Sequence, residues 1–229
     1  MARKKTTTGK VNKKSSVLIV DDHPIVRRGL AELINQQPDL AVCGQAGDAD
    51  EALKAIKDTS PDVAVVDISL RQTSGIELIK DIKVRYPRLV VLALSMHDET
   101  LYAERVLRAG AAGYIMKQEA TEEVISAIRT VLAGQIYASE RMKEKMMRKL
   151  VTGASEPPAS AVGALSDREL EVFTLIGQGL STRRIAEKLY ISIKTVETYR
   201  SHIKEKLNLA DSSELLQYAI QWVTAHQGR

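Results

Sequence analysis

Four short runs of apolar residues punctuate the first half of the chain: Val17-Leu18-Ile19-Val20, Val63-Ala64-Val65-Val66, Leu89-Val90-Val91-Leu92-Ala93-Leu94 and Tyr114-Ile115-Met116. A weaker run covers Leu40-Ala41-Val42-Cys43. The runs are continuous rather than alternating, which predicts strands buried on both faces. Between them lie stretches of helical length with apolar spacing near 3.6. One holds Ile25, Leu30, Leu33 and Ile34, another Ile76, Leu78, Ile79 and Ile82, and the last Val124, Ile125, Ile128 and Val131. Strand and helix alternating in this way predict an α/β unit, a doubly wound five-stranded parallel sheet with helices on both faces. Such sheets gather their ligands at the carboxyl ends of the strands.

The alternation stops near Ser139. Residues 153–163 read Gly-Ala-Ser-Glu-Pro-Pro-Ala-Ser-Ala-Val-Gly, too poor in large apolar groups to pack a core. A linker is therefore expected over 139–162, with a helix over the charged stretch Glu140 to Leu150 leading into it. From 163 to 229 the pattern is helical only. Ser166-Asp167-Arg168-Glu169 is a capping box opening a helix through Leu170, Val172, Phe173 and Ile176, and Gly177 and Gly179 end it. Ser181 caps a second helix and Ser192 a third, running from Ile193 to Leu207. Asp211-Ser212-Ser213-Glu214 opens a fourth. The second and third helices with their tight turn form a helix-turn-helix. Val196, Ile203 and Leu207, with Ile193, make the expected buried stripe of the third helix, and His202 is expected near its core side. The expected domains are a basic disordered tail over 1–16, the sheet domain over 17–138, the linker, and an all-α domain over 163–229.

Composition changes this picture little. The 229 residues are 44% hydrophobic and 27% charged, ordinary for a globular chain. No apolar run is long enough to span a membrane, and no apolar segment follows the basic N-terminus as a secretory signal requires. The single cysteine, Cys43, is expected as a buried thiol and can form neither an internal disulfide nor a Cys-rich zinc site. A cytoplasmic protein of bacterial type is expected. The net charge of +4 is uneven: residues 1–16 carry six basic side chains and no acid, whereas 17–138 carry 13 basic and 18 acidic ones. The high pI is thus mostly a tail and linker effect and does not by itself imply nucleic acid.

The chemistry concentrates at strand ends. Asp21 and Asp22 follow the first strand and Asp67 ends the third, and neighbouring strands would bring these carboxylates together. Crowded carboxylates repel unless a cation neutralises them. Oxygen donors of this kind suit Mg²⁺, which bridges to phosphate, and a carboxylate beside such a metal can attack a phosphoryl group. Ser95 ends the fourth strand with a hydroxyl and Lys117 the fifth with an ammonium, both suited to phosphoryl oxygens. His23 sits beside the acids. Helix-start packing is its expected role, because hard Mg²⁺ prefers oxygen.

Val-Asp-Asp at 20–22, Val-Val-Asp at 65–67, Leu-Ser at 94–95 and Gly-Tyr-Ile-Met-Lys at 113–117 together resemble the receiver domain of two-component response regulators, over roughly residues 16–135. The resemblance implies that Asp67 is the phosphoacceptor. It implies Asp22 and Asp67 as direct Mg²⁺ ligands, Asp21 acting through water and the Ser69 carbonyl as a third protein ligand. Ser95 and Tyr114 would be the switch pair and Lys117 a phosphoryl contact.

The second domain resembles the LuxR-type, or NarL/FixJ-type, DNA-binding domain over roughly 163–226. Its matching words are Leu165 to Val172, Gly179-Leu180-Ser181, Ile185-Ala186 and Ser192 to Glu197. That resemblance implies a third helix in the major groove, with Glu197, Thr198 and Ser201 at base edges and Lys194, Thr195 and Arg200 at phosphates. It also implies a dimer interface on the fourth helix, at Leu216, Ile220 and Val223.

The combined expectation is a response regulator transcription factor rather than an enzyme. It would be phosphorylated by a sensor histidine kinase, act as a homodimer on DNA, and have RNA polymerase as a further candidate partner. The unphosphorylated receiver is expected to mask the recognition helix or the dimer face. The alternatives are a phosphorylation-independent DNA binder and an Mg²⁺-dependent aspartyl-phosphate phosphatase. Against the phosphatase stands Ile68-Ser69 after Asp67, where an Asp-x-Asp motif is needed. Against the DNA binder with a relic receiver stands the complete set of acids, hydroxyl and lysine.

Overall fold

The computed structural model describes residues 14–70, 73–96, 99–140, 142–144, 147 and 161–227. The expected basic tail and the centre of the expected linker lie outside the described residues.

Strands β1 (Ser15–Val20), β2 (Leu40–Ala46), β3 (Val63–Asp67), β4 (Val90–Ser95) and β5 (Gly113–Met116) form one parallel sheet in the order β2-β1-β3-β4-β5. Helices α1 (Pro24–Asn35), α2 (Ala49–Thr59), α3 (Gly75–Arg85), α4 (Glu99–Arg108) and α5 (Ala120–Leu132) connect and cover it. Side chains alternate along each strand, so the sheet feeds two cores. Leu18, Val20, Ala64, Val66, Val91 and Ala93 face one side, packed with residues of α2, α3 and α4. Val17, Ile19, Val63, Val65, Leu92 and Leu94 face the other, packed with residues of α1 and α5. Burial on both sides explains why the strand sequences are runs of Val, Ile and Leu rather than alternations.

Two expectations are corrected here. Ile25 belongs to no buried stripe and is 86% exposed. It stands five residues before Leu30, roughly 140° around the helix, whereas Val26, four residues before, falls on the packed side. Cys43 is only partly buried and packs at the margin of the core. A feature beyond the expected strands appears at the sheet edge. The Tyr114 N–H donates to the Tyr137 carbonyl at 2.9 Å and the Tyr137 N–H to the Ala112 carbonyl at 3.0 Å, so the chain after α5 returns to pair with β5. Beyond it, Glu140, Met142, Lys143, Glu144 and Met147 are helical, and Met142 is buried.

The C-terminal domain begins with a 3₁₀ turn at Ala161–Ala164 and continues as α6 (Asp167–Gly177), α7 (Thr182–Leu189), α8 (Ile193–Leu207) and α9 (Ser212–Gln227). The caps are as the sequence requires. Ser166 accepts from the Glu169 N–H while the Glu169 carboxylate accepts from the Ser166 N–H, and Ser181 and Ser192 accept from the third residues of their helices. Gly179, at φ +80°, makes the left-handed turn between α6 and α7 that a side chain would resist. The core gathers on Phe173, whose ring stands edge-on to Trp222 at 5.5 Å and tilted to Tyr218 at 5.9 Å.

Candidate functional sites: an acidic pocket and an exposed recognition helix

Because β1 and β3 pair directly, Asp21 and Asp67 meet at the carboxyl end of the sheet. Asp21, Asp22 and Asp67 are all buried. Backbone bonds close the pocket: the Ile68 N–H donates to the Leu94 carbonyl at 3.0 Å and the Lys117 N–H to the Ser95 carbonyl at 2.7 Å. They hold the ends of β3, β4 and β5 together, which places Ser95 and Lys117 beside the acids. Gly75, at the start of α3, is packed so tightly on this end that an added Cβ would lie 2.0 Å from the Asp67 carbonyl oxygen. Glycine is thus obligatory there, and the start of α3 fixes the backbone of the acceptor position.

Lys117 Nζ bridges Asp21 Oδ2 at 2.6 Å and Asp67 Oδ2 at 2.7 Å. The Ser69 N–H donates to Asp67 Oδ1 at 3.0 Å. The His23 N–H donates to Asp21 Oδ1 at 2.7 Å, and its Nδ1 lies 2.7 Å from Asp22 Oδ1. Burial pushes the Asp67 carboxyl up to about 6, aided by the neighbouring Asp21 charge and opposed by Lys117. Burial would lower Lys117, but Asp67 and Asp21 raise it above the ordinary lysine range. Among the described residues, one ammonium stands against three buried carboxylates, which leaves the pocket short of positive charge.

Donor atoms of Asp21, Asp22, His23 and Asp67 lie within 4.8 Å of one another, a spacing that a single cation can span. Three of the four donors are carboxylates, the set that a hard cation prefers. His23 is the N-cap of α1, at the helix start where the sequence places it, and its largely exposed ring also lies at the pocket beside Asp22. Its position directly after the paired acids is the signal for it. Ser95 and Tyr114 are both buried, and Tyr114 pairs with Ala93 of β4.

The third helix of the C-terminal domain presents its expected surface. Lys194, Glu197, Thr198 and Ser201 are exposed and Thr195 is partly so. Arg200 differs, with a side chain only 17% exposed and its Nε 3.7 Å from Glu197 Oε2. It follows Val196 by four residues and precedes Ile203 by three, so helical geometry turns its stem toward the core. The same geometry corrects two neighbours. Ile193 is 53% exposed, at the end of the helix and off the centre of the stripe. His202 is exposed rather than on the core side and faces Glu169, its Nδ1 3.8 Å from Oε1. On α9, Leu216 and Ile220 are 42% and 43% exposed, whereas Val223 is buried and packs against Gly177 of α6.

The receiver does dock on the C-terminal domain, but not where the masking expectation puts it. Arg105 of α4 donates to the Leu165 carbonyl at 2.7 Å and to Asp167 Oδ1 at 3.1 Å. Lys80 of α3 reaches Asp167 Oδ2 at 2.8 Å. Tyr102 of α4 is enclosed beside Glu171 and Thr174 of α6, and burial pushes its phenol far up. Every residue from Arg168 to Ile176 is consequently buried, including charged ones, because α6 has the other helices on one side and the receiver on the other. Arg168 and Glu171 satisfy each other at 2.6 Å within that layer. Burial holds the Glu171 carboxyl above its ordinary range, with Arg168 opposing. The recognition face of α8 and the Leu216–Ile220 face of α9 remain open.

Comparison with known proteins agrees with both halves of this architecture. Residues 17–129 match the response regulator receiver domain and residues 163–219 the bacterial regulatory proteins of the luxR family. The chain is 38% identical over 209 residues to the oxygen regulatory protein NreC of Staphylococcus carnosus, covering 90% of this chain and 96% of that one. It is similar to the RcsB response regulator of Salmonella typhimurium, at 27% identity and a TM-score of 0.64 over 92% of this chain and 98% of that one. It is also similar to RcsB of Salmonella enterica serovar Typhimurium bound to the promoter rprA in the presence of a phosphomimetic, at 27% identity and a TM-score of 0.59, with coverage of 90% and 98%. The chain belongs to the response regulators that join a receiver domain to a LuxR-type helix-turn-helix, and it is a transcription factor of that family.

Proposed function

We propose that Asp67 accepts a phosphoryl group from a sensor histidine kinase and that this modification controls how the C-terminal domain engages DNA. The observation that carries the proposal is the surroundings of Asp67: a buried carboxylate held between the Lys117 ammonium and the Ser69 N–H, with Asp21, Asp22 and Ser95 beside it. An Asp67 oxygen attacks phosphorus, forming the acyl phosphate as the bond to the donor's nitrogen breaks. Lys117 pairs with a phosphoryl oxygen, and the Ser95 hydroxyl donates to another. Asp22, Asp67 and the Ser69 carbonyl would hold Mg²⁺, with Asp21 acting through water. The cation would supply the positive charge that the pocket's carboxylates lack for an incoming anionic group. Tyr114, behind Ser95 on β5, would carry the change toward α4 and its contacts with α6.

On DNA, Glu197, Thr198 and Ser201 face base edges while Lys194 and Thr195 face phosphates. Leu216 and Ile220 form the contact between two copies. The protein acts in the cytoplasm as a regulator rather than an enzyme, with RNA polymerase a partner at the promoter.

Incubation with Mg²⁺ and acetyl phosphate tests the reading. Modification should map to Asp67 and DNA affinity should change with it, and modification elsewhere would overturn it. The open recognition face supports a second reading, in which DNA is bound without phosphorylation. Equal affinity before and after modification would select that one.

A further inference from the structure

The recognition helix does not present Glu197 as a free side chain. Thr182, the first residue of α7, donates its hydroxyl to Glu197 Oε1 at 2.9 Å. From the other side, Arg200 Nε stands 3.7 Å from Glu197 Oε2. Oε1 is thus held by a hydrogen bond from the neighbouring helix, and Oε2 faces a longer ion-pair contact from its own helix. The Glu197 side chain nevertheless keeps 56% of its surface exposed, so the group is oriented without being covered. An ionised carboxylate offers about four lone-pair sites. With one contact on each oxygen, acceptor capacity remains on the outward edge.

We propose that Thr182 is a positioning residue for sequence reading, fixing the Glu197 carboxylate so that it accepts from a donor on one particular base, with Arg200 as the second brace. The proposal rests on the reading of Glu197 as a base contact. The physical reason is geometric. A glutamate has several rotatable bonds, and an unbraced carboxylate can meet donors at more than one place in the groove. A carboxylate tied to the start of the neighbouring helix has one outward direction, set by the packing of α7 on α8. The base class is one with an exposed amino donor in the major groove, which is cytosine at its N4 or adenine at its N6, and a carboxylate favours cytosine. Thr182 itself is partly buried and its hydroxyl is committed to Glu197. Its role is therefore distinct from that of a hydroxyl at a helix start which touches a phosphate.

The test uses the full chain. Binding sites are selected from random DNA with the wild type, Thr182→Val, Thr182→Ser, Glu197→Ala and the Thr182→Val/Glu197→Ala double variant. Dissociation constants are then measured on the selected duplex, on its single-base variants and on unrelated DNA. Thr182→Val should lower discrimination by about three- to tenfold at the one position that Glu197→Ala also relaxes. Other positions and unrelated DNA should change by no more than about twofold. Thr182→Ser, which keeps the hydroxyl, should restore discrimination, and Thr182→Val should add nothing in the Glu197→Ala background. Uniform weakening on every sequence, or an effect that persists without Glu197, would overturn the proposal and make Thr182 a phosphate contact. If Glu197→Ala relaxes a position and Thr182→Val leaves it intact, the brace alone is wrong. If Glu197→Ala leaves the motif unchanged, the reading of Glu197 fails and the brace falls with it. Circular dichroism of each variant separates these outcomes from loss of the fold, and the serine variant carries the test should valine disturb α7.

Discussion

The acidic pocket of the receiver and the reading face of α8 carry charge in opposite ways. In the pocket, Asp21, Asp22 and Asp67 are buried, and Lys117 and backbone N–H groups fix them before any partner arrives. On α8, Lys194, Glu197 and Ser201 stand in water, and Glu197 is tied by a hydrogen bond from Thr182, with Arg200 at 3.7 Å on its other oxygen. A buried carboxylate cannot relax when its surroundings change, so the pocket suits an all-or-none chemical event. An exposed one is screened by solvent and keeps an outward edge for a partner, so the helix suits graded discrimination between bases.

The largest expected effect lies in the pocket. Asp67→Asn should reduce acetyl-phosphate labelling to background, because an amide is a poor nucleophile. Intact-mass measurement checks this, and labelling at the wild-type rate would remove Asp67 from its role. If another pocket carboxylate took over, burial would not single out one acceptor and the contrast between the two regions would narrow.

Next comes the layer between the two regions. Arg105→Ala removes hydrogen bonds from a partly buried guanidinium to Leu165 and Asp167. Charged hydrogen bonds of this kind are worth about 1.5–3 kcal/mol each, with the lower end apt for a residue not fully enclosed. The variant should lose amide-exchange protection in α6 while the sheet keeps its own. Since α8 is already open in the docked form, affinity for unrelated DNA should change by less than about threefold. A much larger gain would mean that docking hinders DNA through something other than cover of α8.

Smaller effects distinguish kinds of contact on α8. Lys194→Ala should weaken all sequences alike and reduce the salt slope by about one unit for each phosphate that is no longer neutralised. Glu197→Ala should relax one base position for each copy bound, at a cost of about 1–3 kcal/mol. Affinity measured at two salt concentrations on matched and mismatched duplexes separates them. An unchanged motif for Glu197→Ala with an altered one for Lys194→Ala would rotate the reading face.

The smallest effect is a pH dependence. Burial would raise the Glu169 carboxyl, but Lys206 and Ser166 together hold it below its ordinary 4.5. A depressed folded value means stability that is present above about pH 4.5 and lost as pH falls through the folded value. Glu169→Gln should therefore lower the melting temperature of the C-terminal domain near neutrality by a few degrees at most. The difference from wild type should vanish toward about pH 3, and thermal scans across that range check the sign.

Most of the fold is legible in the sequence because its causes are local. Runs such as Val63 to Val66 specify doubly buried strands, and their alternation with helices specifies a parallel sheet. Ser166, Ser181 and Ser192 mark helix starts because the donors that each satisfies lie within three residues. The acids of the pocket are legible for a related reason: strand ends in a parallel sheet converge, whichever side chains they bear.

What the sequence leaves open depends on surfaces that meet across long separations. The choice of α6 as the docking face rests on contacts such as Lys80 with Asp167, 87 residues apart. No periodicity encodes that pairing, because either helix alone has a satisfactory polar surface. Arg200 and Ile193 fall between the two cases, since their positions around α8 follow from helical geometry, but how much of each is covered depends on the helices packed beside them. Thr182 reaches Glu197, 15 residues on, only once α7 and α8 are packed together. The sequence by itself determined the elements, their caps and the residues at the strand ends, because short-range geometry and burial fix these. The tertiary structure decided which charged side chains are held in place and which stand in water, because that depends on the distance and solvent cover between parts of the chain that no local rule connects.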